Sequence, residues 1–357
     1  MPVIASAATA LPEHRYAQPD ITGAFADLMV GRGADSERLR DVIARTHQAT
    51  TVESRHLVLS LDEYAPLDDF GKANDVFLRE APLLAARAAS DALQAAGLDP
   101  GQVDIVVTTT VTGVAVPSID ARLVPLLGLA PDVRRLPLMG LGCVAGASGL
   151  ARLADLLRGR PDSVAVLVSV ELCSLTLQHD DTSMANIVAS GLFGDGAAAV
   201  VMVGDDRAAR MGLTGPRCLD ARAHLFADTE RVMGWDVGST GLRVVLSPEV
   251  PQLVASELAG VAEGLLGPHG LAVDDVRTWV VHSGGPKVLE AIESSLRLPP
   301  SSTALTWESL REVGNLSSAS VLDVLGRTLA RTPLERAPAV MAAMGPGFCA
   351  ELVLLEW

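Results

Sequence analysis

The segment LPLMGLGCVAGASGLARLADLL, residues 136–157, carries the most structural information in the chain. The apolar run at 136–139 predicts a strand, and the Gly-x-Gly sequence that follows predicts a tight turn. The Ala/Leu/Arg pattern after the turn predicts a helix over 143–159, with Cys143 in its first turn. Gly142 and Gly146 would let another backbone segment approach this turn closely, because glycine has no side chain.

The rest of the chain alternates between short apolar runs and helical patterns in the same way. Strands are predicted at 104–110, 164–170, 197–203, 278–282, 339–343 and 350–355. Helices are predicted at 80–96, 143–159, 250–266, 287–296 and 319–331. Continuous apolar strands are typical of strands buried on both faces, so we predict a layered α/β fold. The polar segment 205–217 is the expected division between a larger N-terminal half and a smaller C-terminal half.

Charge and composition disfavour several classes of partner. A formal net charge of −15 and an aromatic content of 3% argue against nucleic-acid and membrane-surface binding. The N-terminus does not resemble a signal peptide, and the apolar run 187–203 is interrupted by glycines and Asp195. The four cysteines form no CxxC pair, and the seven histidines lack metal-ligand spacing. We therefore expect a cytoplasmic protein with reduced thiols and no bound metal.

Cys143 is a candidate nucleophile because of its position at the start of a predicted helix. The helix dipole favours a thiolate there by about 0.3–1 kcal/mol, or ~2 kcal/mol when partly buried. Lowering a thiol pKa from about 8.5 to about 6 requires about 3.4 kcal/mol, so a cationic neighbour such as histidine is also needed. The ordinary alternative is that Cys143 is a small buried residue.

His282 and Asn315 supply the groups that such a nucleophile needs. His282 ends a predicted strand before a Gly-Gly-Pro turn, and Asn315 precedes a predicted helix. Taken singly, His282 has the alternative of a core or capping histidine, and Asn315 that of a helix N-cap. With Cys143 they form a set of a nucleophile, a titratable donor or base, and a neutral amide donor.

The motifs around these residues occur in a characteristic order. They are GLGCVAG, VELCSLTLQ, LFGDGAAAVV, GWDVGSTGLRVVL, HSGGPKVLE, GNLSSAS and MGPGF. This series resembles the type III polyketide synthases, the chalcone-synthase-like enzymes of the thiolase superfamily. The resemblance implies a five-layered αβαβα thiolase fold with two similar halves, 1–210 carrying the nucleophilic cysteine and 211–357 carrying the catalytic histidine and asparagine. It also implies a homodimer that uses CoA thioesters as substrates, needs no cofactor and carries its catalytic roles on Cys143, His282 and Asn315.

The resemblance extends to the substrate cavity. Phe193 matches a gatekeeper phenylalanine between a CoA tunnel and the cavity, and Val244 replaces a second gatekeeper, which should widen one wall. The other expected cavity residues are Thr112, Val116, Cys173, Thr176, Trp235 and Ser317. Lys287 and Arg55 are the candidates for contacts with CoA, with a solvated surface charge as the alternative for each.

The expected reaction loads an acyl-CoA starter on Cys143 and extends it by decarboxylative condensation with malonyl-CoA. A fatty acyl starter and an alkylresorcinol or alkylpyrone product are the main expectation. A malonyl-CoA-primed tetrahydroxynaphthalene synthase is a close alternative, because one cavity contact changes relative rates by only ~1–3 kcal/mol. A fatty-acid initiation ketosynthase and an inactive thiolase-like interaction protein are further alternatives. A dinucleotide enzyme is disfavoured, because the glycines after residue 139 are spaced GxGxxxG rather than GxGxxG.

Overall fold

The chain forms a mixed α/β structure in a computed structural model that describes residues 1–30, 34–331 and 337–357. The strands are β1 (Val3–Ala10), β2 (His14–Ala17), β3 (Ser54–Leu57), β4 (Ile105–Thr110), β5 (Arg134–Met139), β6 (Val164–Leu172), β7 (Asp195–Val203), β8 (Arg217–Leu225), β9 (Met233–Gly238), β10 (Gly241–Leu246), β11 (Thr278–Val281), β12 (Pro338–Gly345) and β13 (Cys349–Glu356). The α-helices are α1 (Gln18–Met29), α2 (Ala34–Gln48), α3 (Phe70–Ala95), α4 (Ile119–Leu127), α5 (Ala145–Arg158), α6 (Met184–Leu192), α7 (Asp205–Met211), α8 (Val250–Leu266), α9 (Pro286–Leu296), α10 (Ala304–Val313) and α11 (Ser320–Ala330).

The main sheet consists of two blocks with related strand order. Its nine strands follow the order β11-β12-β13-β8-β1-β7-β6-β4-β5. In the N-terminal block, β4 is parallel to β5 and β6, and β7 is antiparallel to β6 and β1. In the C-terminal block, β11 is parallel to β12, and β13 is antiparallel to β12 and β8. Strands β1, β4, β6 and β7 therefore correspond in order to β8, β11, β12 and β13, which gives the two similar halves.

Helices complete five layers around these blocks. Helices α5 and α11 lie between the blocks and pack against strands of both, while α3 covers the outer face of the N-terminal block and α8 that of the C-terminal block. Strands β6 and β7 are buried along their whole length, as their apolar sequences predict. The predicted αβαβα thiolase arrangement is confirmed.

The two central helices begin close together because glycine residues allow their backbones to approach. A Cβ atom on Gly146 would lie 2.3 Å from the carbonyl oxygen of Ser318, and one on Gly142 would lie 2.6 Å from the Pro346 ring. Neither distance is sterically possible, so the close approach predicted at these two glycines is confirmed. The start of α5 and the start of α11 consequently meet at one point in the middle layer.

Two sequence predictions differ from the structure. Helix α3 begins ten residues before the predicted 80–96 helix and continues through Pro82, which the prediction placed in the first turn where proline is tolerated. The segment 205–217, predicted as polar turns, contains the short helix α7 and leads directly into β8. In the described residues, no helix combines the length and the apolar character needed to cross a bilayer.

Candidate active site

A cavity of about 60 Å³ lies where the two central helices begin, and Cys143, His282 and Asn315 all line it. Cys143 lies in the 3₁₀ turn between β5 and α5. His282 directly follows β11, and Asn315 lies between α10 and α11. Three segments far apart in sequence thus bring a thiol, an imidazole and a carboxamide into one cavity.

The Asn315 side chain is oriented by hydrogen bonds to its oxygen. Its Oδ1 atom accepts from the backbone N–H of Ser317 at 2.8 Å and from the Ser320 hydroxyl at 3.3 Å. The oxygen therefore supports the 3₁₀ turn that leads into α11. Asn315 is not an N-cap, however, because that position is Leu316 for the 3₁₀ turn and Ala319 for α11. The Nδ2 atom has no protein partner among the described residues, so it is left to donate to a ligand in the cavity.

Burial favours the neutral form of both the thiol and the imidazole. Desolvation by burial raises the pKa of Cys143 to about 12, although a hydrogen-bond contact with the Ser317 hydroxyl at 3.6 Å opposes the rise. Burial lowers the pKa of His282 to about 4. Burial therefore opposes the thiolate–imidazolium pair that was expected from the sequence. A neutral imidazole is the form that can accept the thiol proton.

Glu171 is a buried carboxylate beside the site that sequence reasoning missed. Its side chain accepts hydrogen bonds from the Val111 N–H at 3.0 Å, the Thr112 hydroxyl at 2.9 Å and the Ser318 hydroxyl. Ser317 lies 3.5 Å from the same carboxylate, so one hydroxyl connects Glu171 to Cys143. The signal in the sequence was the single acidic residue near the end of the apolar run VAVLVSVEL, because a charged side chain is rarely buried without hydrogen-bonding or ionic partners.

The substitution Glu171→Gln should make stability less dependent on pH. Burial raises the pKa of Glu171 from 4.5 to about 6, so folding favours its protonated form. Its contribution to stability is complete below about pH 4.5 and is lost as the pH rises through about 6. Relative to wild type, the free energy of unfolding of the variant should rise by about 1 kcal/mol between about pH 5 and about pH 8. Urea unfolding of both proteins at each pH measures this, and a constant difference would contradict it.

A second, larger cavity adjoins the first. Its volume is about 430 Å³, and it extends from the catalytic cavity towards α1 and α6. The residues that line both cavities are Cys173, Phe193, Trp235 and Val244. Trp235 and Val244 are paired across β9 and β10, so this hairpin forms one side of the shared wall. Most of the surface of the larger cavity is apolar.

The structure places most of the predicted cavity residues on these walls. Ser317 lines the catalytic cavity and Thr176 the larger one. Thr112 was expected on the wall but stands behind it, because its hydroxyl donates to Glu171 and accepts from the Leu172 N–H at 2.9 Å. The neighbouring Val111 lines the catalytic cavity instead.

Two further expectations disagree with the structure. Val116 is 90% exposed and lies on the outer surface, so it does not line a cavity of its own chain. Arg55 is buried and hydrogen-bonded inside the protein, so it is not placed to meet the phosphates of CoA on the surface. Lys287 is exposed in the first turn of α9, five residues after His282, which is compatible with a contact to CoA.

Comparisons with known proteins agree with this geometry. The model of the N-terminal domain of chalcone and stilbene synthases matches residues 2–207, and that of the C-terminal domain matches residues 219–356. The chain belongs to the chalcone and stilbene synthase family of type III polyketide synthases. It is thus a decarboxylating, condensing acyltransferase of a family that uses CoA thioesters.

Individual relatives cover nearly the whole chain. A 1,3,6,8-tetrahydroxynaphthalene synthase of Streptomyces peucetius subsp. caesius is 51% identical over 99% of this polyketide synthase and 93% of the relative. The α-pyrone synthesis polyketide synthase-like Pks18 of Mycobacterium tuberculosis is 28% identical, over 99% of this chain and 91% of the relative. The crystal structure of the tetrahydroxynaphthalene synthase of Streptomyces coelicolor A3(2) superposes with a TM-score of 0.92 at 30% identity, covering 99% of both chains.

Proposed function

We propose that this polyketide synthase condenses malonyl-CoA alone and releases 1,3,6,8-tetrahydroxynaphthalene. The supporting observation is that 51% identity to a synthase of that product extends across the whole chain, whereas identity to the pyrone-forming relative is 28%. This reverses the order of the two products expected from the sequence, because a fatty acyl starter was the main expectation. The sequence motifs are common to the whole family, so they could not distinguish between the two products.

The catalytic cavity supports a role for each member of the trio. His282 accepts the thiol proton as Cys143 attacks the thioester carbon of a bound malonyl-CoA, and CoA leaves as the thiol. The starter is then held as a thioester on Cys143. A second malonyl-CoA places its thioester oxygen near Asn315 Nδ2 and the His282 ring, both of which line the same cavity.

Decarboxylation and condensation follow from this placement. Loss of CO₂ leaves its electron pair on the α-carbon, and the negative charge is delocalised onto the thioester oxygen as an enolate. Hydrogen bonds to that oxygen strengthen as the charge develops, so they stabilise the transition state more than the ground state. The α-carbon then forms a bond to the acyl carbon on Cys143 and expels the Cys143 thiolate, which leaves the longer chain as a thioester of the second CoA. Attack by Cys143 on that thioester returns the chain to the enzyme and releases the CoA for the next cycle.

A fatty acyl starter is the second candidate, and the larger cavity is the observation that favours it. An apolar space of about 430 Å³ beside Cys173 and Phe193 suits an alkyl chain better than a polar poly-β-ketone. In that case the product would be an alkylresorcinol or an alkylpyrone, as the sequence analysis expected.

Incubation with uniformly ¹³C-labelled malonyl-CoA should distinguish the two. We expect a product in which every carbon is labelled, because a naphthalene skeleton needs only two-carbon units from malonyl groups. Its mass is measured with and without an unlabelled medium-chain acyl-CoA in competition. A product that forms only when the acyl-CoA is present, and that carries an unlabelled alkyl tail, would replace the proposal with the second candidate.

A homodimer remains a proposal, and surface features of the N-terminal block support it. Strand β5 is an edge strand of the main sheet, and Met139 at its end is 61% exposed. Val116, which the resemblance assigned to a cavity, is also exposed. Unpaired sheet edges and exposed apolar side chains are typical of surfaces that another chain covers.

A further inference from the structure

Arg55 is a buried cation whose hydrogen bonds lead towards the active site. It lies on β3 and is 2% exposed. Its Nη1 donates to the carbonyl oxygen of Phe193 at 2.5 Å, and its Nε donates to Gln18 Oε1 at 3.1 Å. Its Nη2 is buried without a partner among the described residues. The shortest of these contacts is the one to the segment that carries Phe193.

That segment is joined to Asn315 through the backbone. The N–H of Gly194 donates to the Asn315 carbonyl at 3.0 Å, and the Asn315 N–H donates to the Leu192 carbonyl at 2.9 Å. The Phe193 carbonyl and the Gly194 N–H belong to the same peptide unit. A guanidinium on that carbonyl polarises the unit and strengthens the N–H as a donor, because consecutive hydrogen bonds reinforce one another. Arg55 is therefore linked to the backbone of Asn315 through a single peptide group.

The aliphatic part of Arg55 also packs against the turn before Asn315. Gly314 has a φ of +72°, and a Cβ atom there would lie 2.7 Å from the Leu192 carbonyl and 3.0 Å from Arg55 Cδ. The glycine is therefore required by the close approach of three segments. Both the stem and the guanidinium of Arg55 thus limit the positions that the Asn315 turn can adopt.

Burial of the charged Arg55 side chain is energetically unfavourable, which indicates a functional role for its charge. Desolvation by burial lowers the pKa of Arg55 to about 10, and the nearby Asp195 opposes the shift. The group is still charged at neutral pH, yet no carboxylate forms an ion pair with it in the part of the chain that the structure describes. A neutral side chain could fill the same space without the unfavourable desolvation of a charge.

We propose that Arg55 is a positioning residue for malonyl-CoA decarboxylation, holding Asn315 in place through the Phe193–Gly194 peptide. This inference rests on the donor role of Asn315 in the proposed function. It replaces the contact with CoA that the sequence analysis assigned to Arg55. It also predicts that Arg55 affects decarboxylation and leaves the loading of Cys143 largely unchanged.

The variant Arg55→Met tests this, because methionine keeps an aliphatic stem and removes the guanidinium. We expect kcat for malonyl-CoA decarboxylation to fall by about 10–100-fold, the order of loss caused by small displacements of catalytic groups. KM and the extent of Cys143 acylation should stay within about threefold of wild type, because the variant leaves Cys143 and the exposed Lys287 unchanged. Arg158→Met is the matched control, since Arg158 also donates to backbone carbonyls, those of Cys218 and Leu219, away from both cavities.

A double-mutant cycle separates positioning from a general loss of stability. In an Asn315→Asp background, which already lacks the Nδ2 donor, Arg55→Met should lower the remaining decarboxylation by less than about twofold. A further fall of about 10–100-fold in that background would show that Arg55 acts independently of Asn315 and would overturn the inference. If Arg55→Met does not fold, Arg55→Lys keeps the charge and enters the same cycle, with the same expected non-additivity and a smaller first effect.

The two proposals fail in different measurements. Wild-type enzyme that does not decarboxylate malonyl-CoA would overturn the proposed function and this inference with it. Active wild-type enzyme together with an Arg55→Met variant as fast as the Arg158→Met control would overturn this inference alone.

Discussion

Replacement of Cys143 by alanine should abolish both acyl loading and polyketide formation while part of the malonyl-CoA decarboxylation persists. Within the trio, the Cys143 sulfur is the atom that binds the acyl chain as a thioester, so no product is released without it. His282 and Asn315 remain in the same cavity and can still stabilise the enolate. Intact-protein mass spectrometry after incubation with malonyl-CoA measures loading, and release of labelled CO₂ measures decarboxylation.

Cys218→Ala is the matched control for this experiment. Cys218 is buried in β8, and it lines neither of the two cavities around the trio. Its variant should still gain the mass of an acyl group and form product. Undiminished product from Cys143→Ala, or loss of loading in the Cys218 variant alone, would contradict the assignment of the nucleophile.

Asn315→Asp should lower the rate of decarboxylation by about 10²–10³-fold, the usual cost of removing one oxyanion donor. Aspartate retains an oxygen that can accept from Ser317 N–H and Ser320, so the turn into α11 keeps both hydrogen bonds. It replaces the free Nδ2 donor with an acceptor, which repels the enolate oxygen. Labelled CO₂ release and thermal unfolding of the same samples report the two properties separately.

The alternative, in which Asn315 only supports the turn into α11, predicts the opposite pattern. Under that alternative, Asn315→Asp would retain its activity because both hydrogen bonds are retained, and Asn315→Ala would lose about 1 kcal/mol of stability. Asn74→Ala serves as the control, because Asn74 bonds only the Val114 backbone on the surface among the described contacts. Asn315→Asp enzyme that decarboxylates as fast as this control would exclude the donor role.

The layered fold could be predicted because its central strands are almost wholly apolar. Strands β6 and β7 are buried on both faces, and α8 lies at its predicted bounds, since its apolar pattern is regular and proline stands near its start. Strand β8 could not be predicted in this way. Its sequence RCLDARAHL mixes charged and apolar residues, because residues 222–225 are exposed on both faces and pairing with β13 stabilises the strand.

The positions of the catalytic trio could also be predicted, because they depend on local sequence patterns. The trio lies in turns whose glycines and motif spacing are visible in the sequence. The roles of Glu171 and Arg55 depend on burial and on partners more than a hundred residues away, namely Ser318 and Phe193. No local pattern encodes such contacts. A charged residue among apolar neighbours signals only that some partner must exist.

The wall shared by the two cavities limits how this enzyme can change its product. Cys173, Phe193, Trp235 and Val244 each face both spaces. A bulkier side chain at any of these positions reduces the space in both cavities. Chain length and starter preference are therefore expected to vary together when the wall is mutated. Chain length and starter preference could be changed independently only through residues that line a single cavity, such as Thr176 in the larger cavity and Val111 in the catalytic cavity.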